Sequence, residues 1–160
     1  MYKRQDFTCP KALTDEQIKK VEDLVREKIT EDLPLTCVVM PRAEAEKLGA
    51  MALFGEKYGS EVRVVAIGAA NEKLIEEAFS REFCGGTHCD NTGQIGSFKI
   101  FKEESISAGV RRITALTGSG LTKYLEERGE IVERLSEMLK TSAESLVCLL
   151  YTSPSPRDRS

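Results

Sequence analysis

Cys84 and His88 are the residues of this 160-residue chain whose types and spacing could bind a metal ion. They lie four positions apart and enclose the pair Gly85-Gly86. A thiolate and an imidazole are good zinc ligands, and two glycines let the backbone fold tightly enough for both side chains to face one ion. The glycine amides would also be open to an oxyanion or a phosphate. A cysteine that lies near a histidine by chance would show the same spacing.

The rest of the chain does not complete a tetrahedral zinc site, which needs more than two protein ligands. His88 is the only histidine. Cys89 adjoins it, but adjacent side chains rarely point at one ion. The other cysteines have no ligand spacing: Cys9, Cys37 and Cys148. Spacing alone therefore predicts half of a metal site, whose other half is absent or comes from another chain.

Composition and charge set wider limits on function. With 41% hydrophobic and 31% charged residues, the chain has the composition of an ordinary globular protein. Its net charge of −3 gives no overall attraction to nucleic acid, so an RNA contact would need a local basic patch. No apolar run approaches the roughly 20 residues of a membrane span, and no secretory signal is visible. Five cysteines without a regular framework indicate free thiols or a metal site in a reducing compartment.

Helical periodicity begins upstream of the motif. Thr14 to Glu31 predicts a helix, because Thr14 and Gln17 form a capping box and apolar residues recur at helical spacing. Further helices are expected at Arg42–Leu48, closed by Gly49, at Asn71–Phe79, and from Ser119 onward. The last of these either packs against the domain or extends toward a missing neighbouring domain, and we favour the second interpretation.

Alternating and β-branched segments predict the strands. They are Leu35–Met40, Glu61–Ile67, the strand end Arg81–Phe83, Ser97–Lys102 and Val110–Leu116. Together the elements indicate an α+β fold, with a mixed or antiparallel sheet of four or five strands, helices packed on it and a C-terminal helical arm. Met51–Gly59 has no clean period, and we expect an ordered loop there with Leu53 and Phe54 buried.

Both ends of the chain differ from this pattern. Tyr2–Gln5 is a short basic stub without an evident structural role, and Tyr151–Ser160 breaks abruptly from the helical period. Both resemble translated adapter sequence, although a natural disordered tail would also explain the second. We therefore expect a non-native stub at 1–5, a folded domain at 6–118, a helical arm at 119–147 and a non-native tail at 148–160.

The motif and three other segments resemble a known family. Glu82-Phe83-Cys84-Gly85-Gly86-Thr87-His88, followed by Thr92-Gly93-Gln94-Ile95-Gly96, resembles the zinc motif of the editing domains of alanyl- and threonyl-tRNA synthetases. The other segments resemble signatures of the alanyl-tRNA synthetase family: Gly49–Tyr58, Ala108–Ile113 with Thr117-Gly118, and Asp6–Thr8 with Ala12–Thr14. The resemblance covers Asp6 to Leu139, and four signatures in order are specific. It implies that 6–118 is part of an editing domain, of the second additional domain type.

The resemblance also implies an activity. The intact enzyme attaches alanine to tRNA(Ala) with ATP and Mg²⁺, in an aminoacylation part absent here, and is cytoplasmic. Its editing domain hydrolyses Ser-tRNA(Ala) and Gly-tRNA(Ala). The implied partner is the acceptor end of tRNA(Ala), with no membrane and no DNA. In the family, zinc is held by two histidines four apart on an upstream helix, together with the cysteine and histidine that correspond to Cys84 and His88.

Other site residues follow from the same resemblance. Cys84 and Thr87 are the expected catalytic residues, and the Thr87 hydroxyl is a candidate donor to the hydroxyl of a serine substrate, although a local loop hydrogen bond would explain it equally. The residues expected to contact tRNA are Gly85, Gly86, Arg111 and Arg112. Adjacent strand residues face opposite sides, so one arginine could reach the tRNA 3′ end while the other pairs with a carboxylate. A structural ion pair is an equal explanation for each arginine.

The chain departs from the family pattern in two places. The upstream histidine pair is absent, so we expect the isolated chain to bind zinc weakly, if at all, and to be inactive. The link Ala69–Phe79 between strand and motif is longer than usual. Two other functions stay open: a free-standing trans-editing deacylase, which the Met51–Tyr58 segment and the helix after Ser119 argue against, and a non-catalytic tRNA-binding remnant. Loss of half a domain should also leave a sheet edge or apolar face uncovered.

Overall fold

The computed structural model describes residues 2–52 and 58–152, and within them it shows an α+β fold. The strands are β1 (Tyr2–Thr8), β2 (Leu35–Pro41), β3 (Glu61–Ile67), β4 (Ser80–Phe83), β5 (Phe98–Ser107) and β6 (Val110–Thr117). The α-helices are α1 (Asp15–Thr30), α2 (Arg42–Lys47), α3 (Gly118–Leu139) and α4 (Leu146–Thr152). Short 3₁₀ helices cover Glu72–Glu77, Thr92–Ile95 and Ala143–Ser145. The α+β class predicted from the sequence is confirmed.

The strands of the described residues form two antiparallel sheets of three strands each, where the sequence predicted a single sheet of four or five. The first sheet has the order β1-β6-β5, and the second has the order β2-β3-β4. Two sheets form because β6 pairs with β1 and β5, whereas β3 pairs with β2 and β4. The additional strand, β1, begins at the N-terminus, where the sequence predicted no structural role for Tyr2–Gln5. In the structure Tyr2 pairs with Leu116 and Gln5 pairs with Ile113, so these residues extend β1 along β6. The expectation of a stub without structural role is therefore wrong, whereas its non-native origin stays a prediction.

Helix α1 begins where its capping box predicts. The Thr14 hydroxyl accepts a hydrogen bond from the amide of Gln17, and the Gln17 side chain accepts one from the amide of Thr14. The helix contacts β5 through a buried carboxylate, because one oxygen of Glu22 accepts from the amide of Ile100 at 2.7 Å. Its other oxygen binds Arg26 at 2.9 Å. A polar network therefore joins α1 to an edge strand of the first sheet.

The second sheet carries the main apolar core of the described residues. Strand β3 lies at its centre, and four of its seven residues are buried: Val62, Val64, Val65 and Ala66. The cluster contains Ala45, Val62, Val64, Ala66, Ala69, Ile75, Ala78 and Phe83. Phe83, at the end of β4, is 1% exposed and meets the ring of Tyr58 edge-on at 5.1 Å between centroids. The candidate motif therefore begins immediately after one of the best-packed side chains.

Two elements differ from their predicted form. Asn71–Phe79 was expected to be an amphipathic helix, but a 3₁₀ helix covers Glu72–Glu77, after a cap in which the Asn71 side chain accepts from Lys73. Arg81 donates to three carbonyls at the end of this turn, which satisfies groups that a longer α-helix would have paired internally. The strand expected to end at Lys102 continues to Ser107, and irregular pairing after Ile100 disturbs the alternation that would have revealed it.

Contacts divide the chain into two units, residues 1–118 and 119–160. The second unit contains α3, which runs without interruption through Arg128 and Gly129, and then α4. The helix predicted from Ser119 is thus present. Its relation to a neighbouring domain stays a prediction, as does a non-native origin of 148–160. The loop expected to bury Leu53 and Phe54 lies outside the described residues, except at its ends.

Candidate metal centre

The side chains of Cys84 and His88 lie side by side. Cys84 is the first residue after β4, and His88 lies in the loop that leads to the 3₁₀ helix Thr92–Ile95. The distance from Cys84 Sγ to His88 Nε2 is 3.2 Å, and both residues are half-buried. Zinc bonds to sulfur and to imidazole nitrogen are about 2.3 and 2.0–2.1 Å long. These two donors could therefore share one ion, and they fit zinc as two of its ligands.

The described residues do not supply the remaining ligands. Among them there is no group of three or more histidine, cysteine, aspartate and glutamate side chains arranged to hold a metal ion. Cys9 donates to the carbonyl of Lys11, and Cys37 accepts from Arg63. Cys84 and His88 therefore offer two donors, and a tetrahedral zinc site would need a further pair.

The glycine pair leaves space and exposed amides at the site. Neither Gly85 nor Gly86 has a positive φ, so a left-handed backbone is not the reason for glycine here. A methyl group added to Gly86 would lie 3.5 Å from Cys84 Sγ and 3.9 Å from His88 Nε2, in ordinary contact. One added to Gly85 would meet nothing within 4 Å. Both residues are exposed, and their amides donate to no group in the described part of the chain.

Thr87 is also exposed beside the pair. Within the described residues its hydroxyl makes no hydrogen bond, so the local loop bond considered from the sequence is not observed. Cys89 follows His88 but takes no part in the 3.2 Å contact between Cys84 and His88. The exposed groups next to the two donors are therefore the Thr87 hydroxyl and the glycine amides.

Arg63 contacts the loop, and the sequence reasoning missed it. Its Nη1 donates to the carbonyl of Cys84 at 3.0 Å and to that of Gly86 at 2.6 Å, while its Nη2 donates to Cys37 Sγ at 3.1 Å. Arg63 also lines a cavity of about 230 Å³ with Tyr58, Phe83 and the start of the loop. The available signal was its place in Glu61–Ile67, where alternation puts it on the side opposite Val62 and Val64.

Arg111 and Arg112 are both engaged in ion pairs. Arg111 binds both oxygens of Glu103, and both side chains are largely buried. Arg112 binds both oxygens of Asp6, at 2.7 and 2.9 Å, and these two side chains are half-exposed. The pairs lie on opposite faces of β6. This geometry favours the structural interpretation for both arginines, and a tRNA contact by either would compete with an existing carboxylate.

These ion pairs predict a loss of stability in acid. Hydrogen bonds from Arg111 lower the pKa of Glu103, and those from Arg112 lower the pKa of Asp6. A carboxyl whose pKa is lower in the folded chain than in the unfolded chain stabilises the fold. Its full contribution is present above the pKa in the unfolded chain, about 4, and is lost as the pH falls through the pKa in the folded chain. We expect the free energy of unfolding, measured by urea titration, to fall below about pH 4.

The variant Glu103→Gln should make that fall shallower, because it removes one of the carboxyls whose pKa is lowered in the folded chain. Glu104→Gln is the matched control, since Glu104 is more exposed and binds Lys102. Equal acid dependence in Glu103→Gln and in the unsubstituted chain would contradict the role given to the Glu103–Arg111 pair.

Comparison with known families finds a similarity for the segment that contains Cys84 and His88. Residues 62–114, from β3 through the Cys84 loop to β6, match the threonyl and alanyl tRNA synthetase second additional domain. The contact between Cys84 and His88 lies inside this matched segment. This segment of the chain is therefore similar to an accessory domain of aminoacyl-tRNA synthetases.

The chain is also similar to segments of longer proteins that share one enzyme name. The chain is 47% identical over 147 residues to the alanine–tRNA ligase of Lactobacillus johnsonii, a match that covers 91% of this chain. It is 46% identical over 147 residues to that of Coxiella burnetii and 45% identical over 143 residues to that of a Synechococcus strain. The chain is thus homologous to a segment of alanine–tRNA ligase. It spans about 16% of the length of the first of these relatives.

Proposed function

We propose that this chain is part of the editing domain of an alanine–tRNA ligase, and that Cys84 and His88 are two of four zinc ligands in a site that hydrolyses Ser-tRNA(Ala) and Gly-tRNA(Ala). The observation that carries the proposal is the 3.2 Å contact between Cys84 Sγ and His88 Nε2 inside the matched domain. A cysteine sulfur and an imidazole in contact, beside exposed amides, are suited to a metal-assisted hydrolysis.

The residues of the site have separable tasks. When bound, zinc would orient the aminoacyl group or activate water. The exposed amides of Gly85 and Gly86 would donate to the tRNA 3′ end. The Thr87 hydroxyl would bind the hydroxyl of a serine substrate, which alanine lacks, and so would favour Ser-tRNA(Ala) over correctly charged Ala-tRNA(Ala). Hydrolysis of Gly-tRNA(Ala) would not use this contact, because glycine also lacks a hydroxyl. Cys84 and His88 would hold the ion, and their half-burial would shield it from bulk water.

The aminoacylation activity would belong to parts of the ligase that this chain does not span. There the parent enzyme would attach alanine to tRNA(Ala) with ATP and Mg²⁺, in the cytoplasm, and the acceptor end of the tRNA would be the shared substrate. Within residues 2–52 and 58–152, none of the helices has the length and apolar character of a membrane span. The other proposed contacts to tRNA, through Arg111 and Arg112, would require their ion pairs to open.

Zinc content tests the half-site. We expect the purified chain to lose zinc on dialysis against a mild chelator, because two protein ligands leave a tetrahedral ion incompletely held. Zinc supplied in excess should still shift the ring resonances of His88, the only histidine. This shift should disappear in Cys84→Ser and persist in the control Cys9→Ser. One zinc ion per chain after dialysis, measured by atomic absorption, would contradict the two-ligand site.

Grafting tests the editing function. The chain would replace the matching segment of the Lactobacillus johnsonii ligase, to which 147 residues align. We expect the graft to hydrolyse Ser-tRNA(Ala), and Cys84→Ala or His88→Ala to abolish hydrolysis while alanine attachment continues. Hydrolysis by the isolated chain would instead indicate a free-standing deacylase. A graft that binds tRNA but hydrolyses nothing with Cys84 and His88 intact would indicate a binding remnant.

A further inference from the structure

We propose that Arg63 is a positioning residue for the Cys84–His88 pair, which holds the motif loop in the shape that brings the two side chains together. The metal-binding purpose of the pair rests on the proposed function, whereas the contacts that Arg63 makes do not depend on it. Arg63 meets Cys84 at both backbone groups: its own carbonyl accepts from the amide of Cys84 at 3.1 Å, and its Nη1 donates to the carbonyl of Cys84 at 3.0 Å.

The same nitrogen also reaches past the first glycine. Nη1 of Arg63 donates to the carbonyl of Gly86 at 2.6 Å, so one guanidinium joins the residues on either side of Gly85. No other group of the described residues hydrogen-bonds to the backbone of Cys84, Gly85 or Gly86. Two glycines in sequence have the largest backbone freedom that a loop can have. The bonds from Arg63 therefore account for the order of this loop.

The guanidinium is itself oriented from strand β2. Its Nη2 donates to Cys37 Sγ at 3.1 Å. Arg63 pairs with Val39 and Cys37 pairs with Val65 in the β2–β3 register, so the two side chains are diagonal neighbours on one face of the sheet. The fork thus spans from β2, across β3, to the loop after β4. This bridge between a rigid sheet and a glycine loop explains why the position needs a planar fork with several donors.

Lysine could not perform this task. An ammonium on a flexible stem keeps the positive charge but cannot present donors in the fixed fork that reaches two carbonyls and a sulfur. Arg63→Lys therefore separates geometry from charge, and Arg63→Gln removes both. Arg81 offers a matched control, because its Nη1 also donates to several carbonyls, those of Ile75, Glu76 and Ala78, in a different turn of the same unit.

The experiment observes His88 directly. As the only histidine, it yields a single set of ring resonances in the chain labelled with ¹³C,¹⁵N-histidine. At fixed pH and without metal, we expect these resonances to shift and broaden in Arg63→Gln and Arg63→Lys, because the loop then samples several conformations. They should be unchanged in Arg81→Gln. Zinc affinity, from titration of the same resonances, should fall about 10- to 100-fold in both Arg63 variants, as when a group that orients a metal ligand is lost.

Each outcome decides the proposal. Unchanged metal-free resonances in both Arg63 variants would overturn it, as would an equal change in Arg81→Gln, since that would show a general loss of structure. Full rescue by Arg63→Lys would also overturn it, because charge would then suffice. If Arg63→Gln does not fold, by circular dichroism, Arg63→Lys alone decides. If the unsubstituted chain shows no zinc response at His88, the proposed metal site fails, while the metal-free spectra still test Arg63.

Discussion

Replacing Phe83 by alanine is expected to lower the free energy of unfolding by about 3–5 kcal/mol. Phe83 is 1% exposed, lies in the core of the second sheet and contacts Tyr58 edge-on. Truncation loses the favourable free energy of burying the ring away from water. It also leaves a cavity that a three-stranded sheet with one short helix cannot easily close. Urea unfolding followed by circular dichroism measures the change.

Two further variants serve as controls for Phe83→Ala. Phe79 is 54% exposed, so Phe79→Ala should cost far less. Because a domain of this size has a total stability of about 5–15 kcal/mol, Phe83→Ala could unfold the chain outright. Phe83→Leu retains an apolar side chain of similar size and should keep the fold with a smaller loss. A cost for Phe83→Ala no greater than that for Phe79→Ala would contradict the packing described here.

The second large effect is expected for Glu22→Ala, at about 2–3 kcal/mol of unfolding free energy. Glu22 is 6% exposed, and one of its oxygens accepts from the buried amide of Ile100. Without the carboxylate that amide has no acceptor, and Arg26 loses a partner at 2.9 Å. A buried donor left unsatisfied costs its full desolvation free energy, which exceeds the net value of the hydrogen bond.

Two further variants separate the causes for Glu22. Glu22→Gln retains an oxygen that can accept from Ile100, so it should be less destabilising than Glu22→Ala. Glu16→Ala removes a carboxylate of the same helix whose ion pair with Lys20 is exposed, and should change stability little. If Glu22→Ala and Glu16→Ala had equal stabilities in urea, the contact between α1 and β5 would not depend on this hydrogen bond.

Local patterns predicted most single elements. The capping box at Thr14 and Gln17 placed the start of α1 correctly, because both its partners lie within one turn of the chain. The alternation in Glu61–Ile67 marked β3 with the same bounds as the structure. Pairing between strands that are far apart in the sequence was harder to predict. Tyr2–Gln5 has no distinctive pattern, and only its partner β6, more than 100 residues away in sequence, makes it a strand.

In the candidate site, too, local features were predicted from the sequence and contacts between distant residues were not. The sequence itself pointed to Cys84 and His88, because thiolate, imidazole and their spacing are local properties, and it pointed to the alanyl-tRNA synthetase family through four ordered signatures. The tertiary structure determined that the two donors lie 3.2 Å apart. It also assigned Arg111 to Glu103 and Arg112 to Asp6, which sequence reasoning had left open between ion pairs and tRNA contacts.

What the sequence determined by itself is therefore the type of chemistry and the segment that carries it, since both follow from residue types and short spacings. Only the tertiary structure decided which groups hold that segment in place. Arg63 reaches the motif loop across 21 and 23 residues, and reaches Cys37 across 26. Such contacts depend on strand register and on the paths of separate chain segments, which local propensity does not encode.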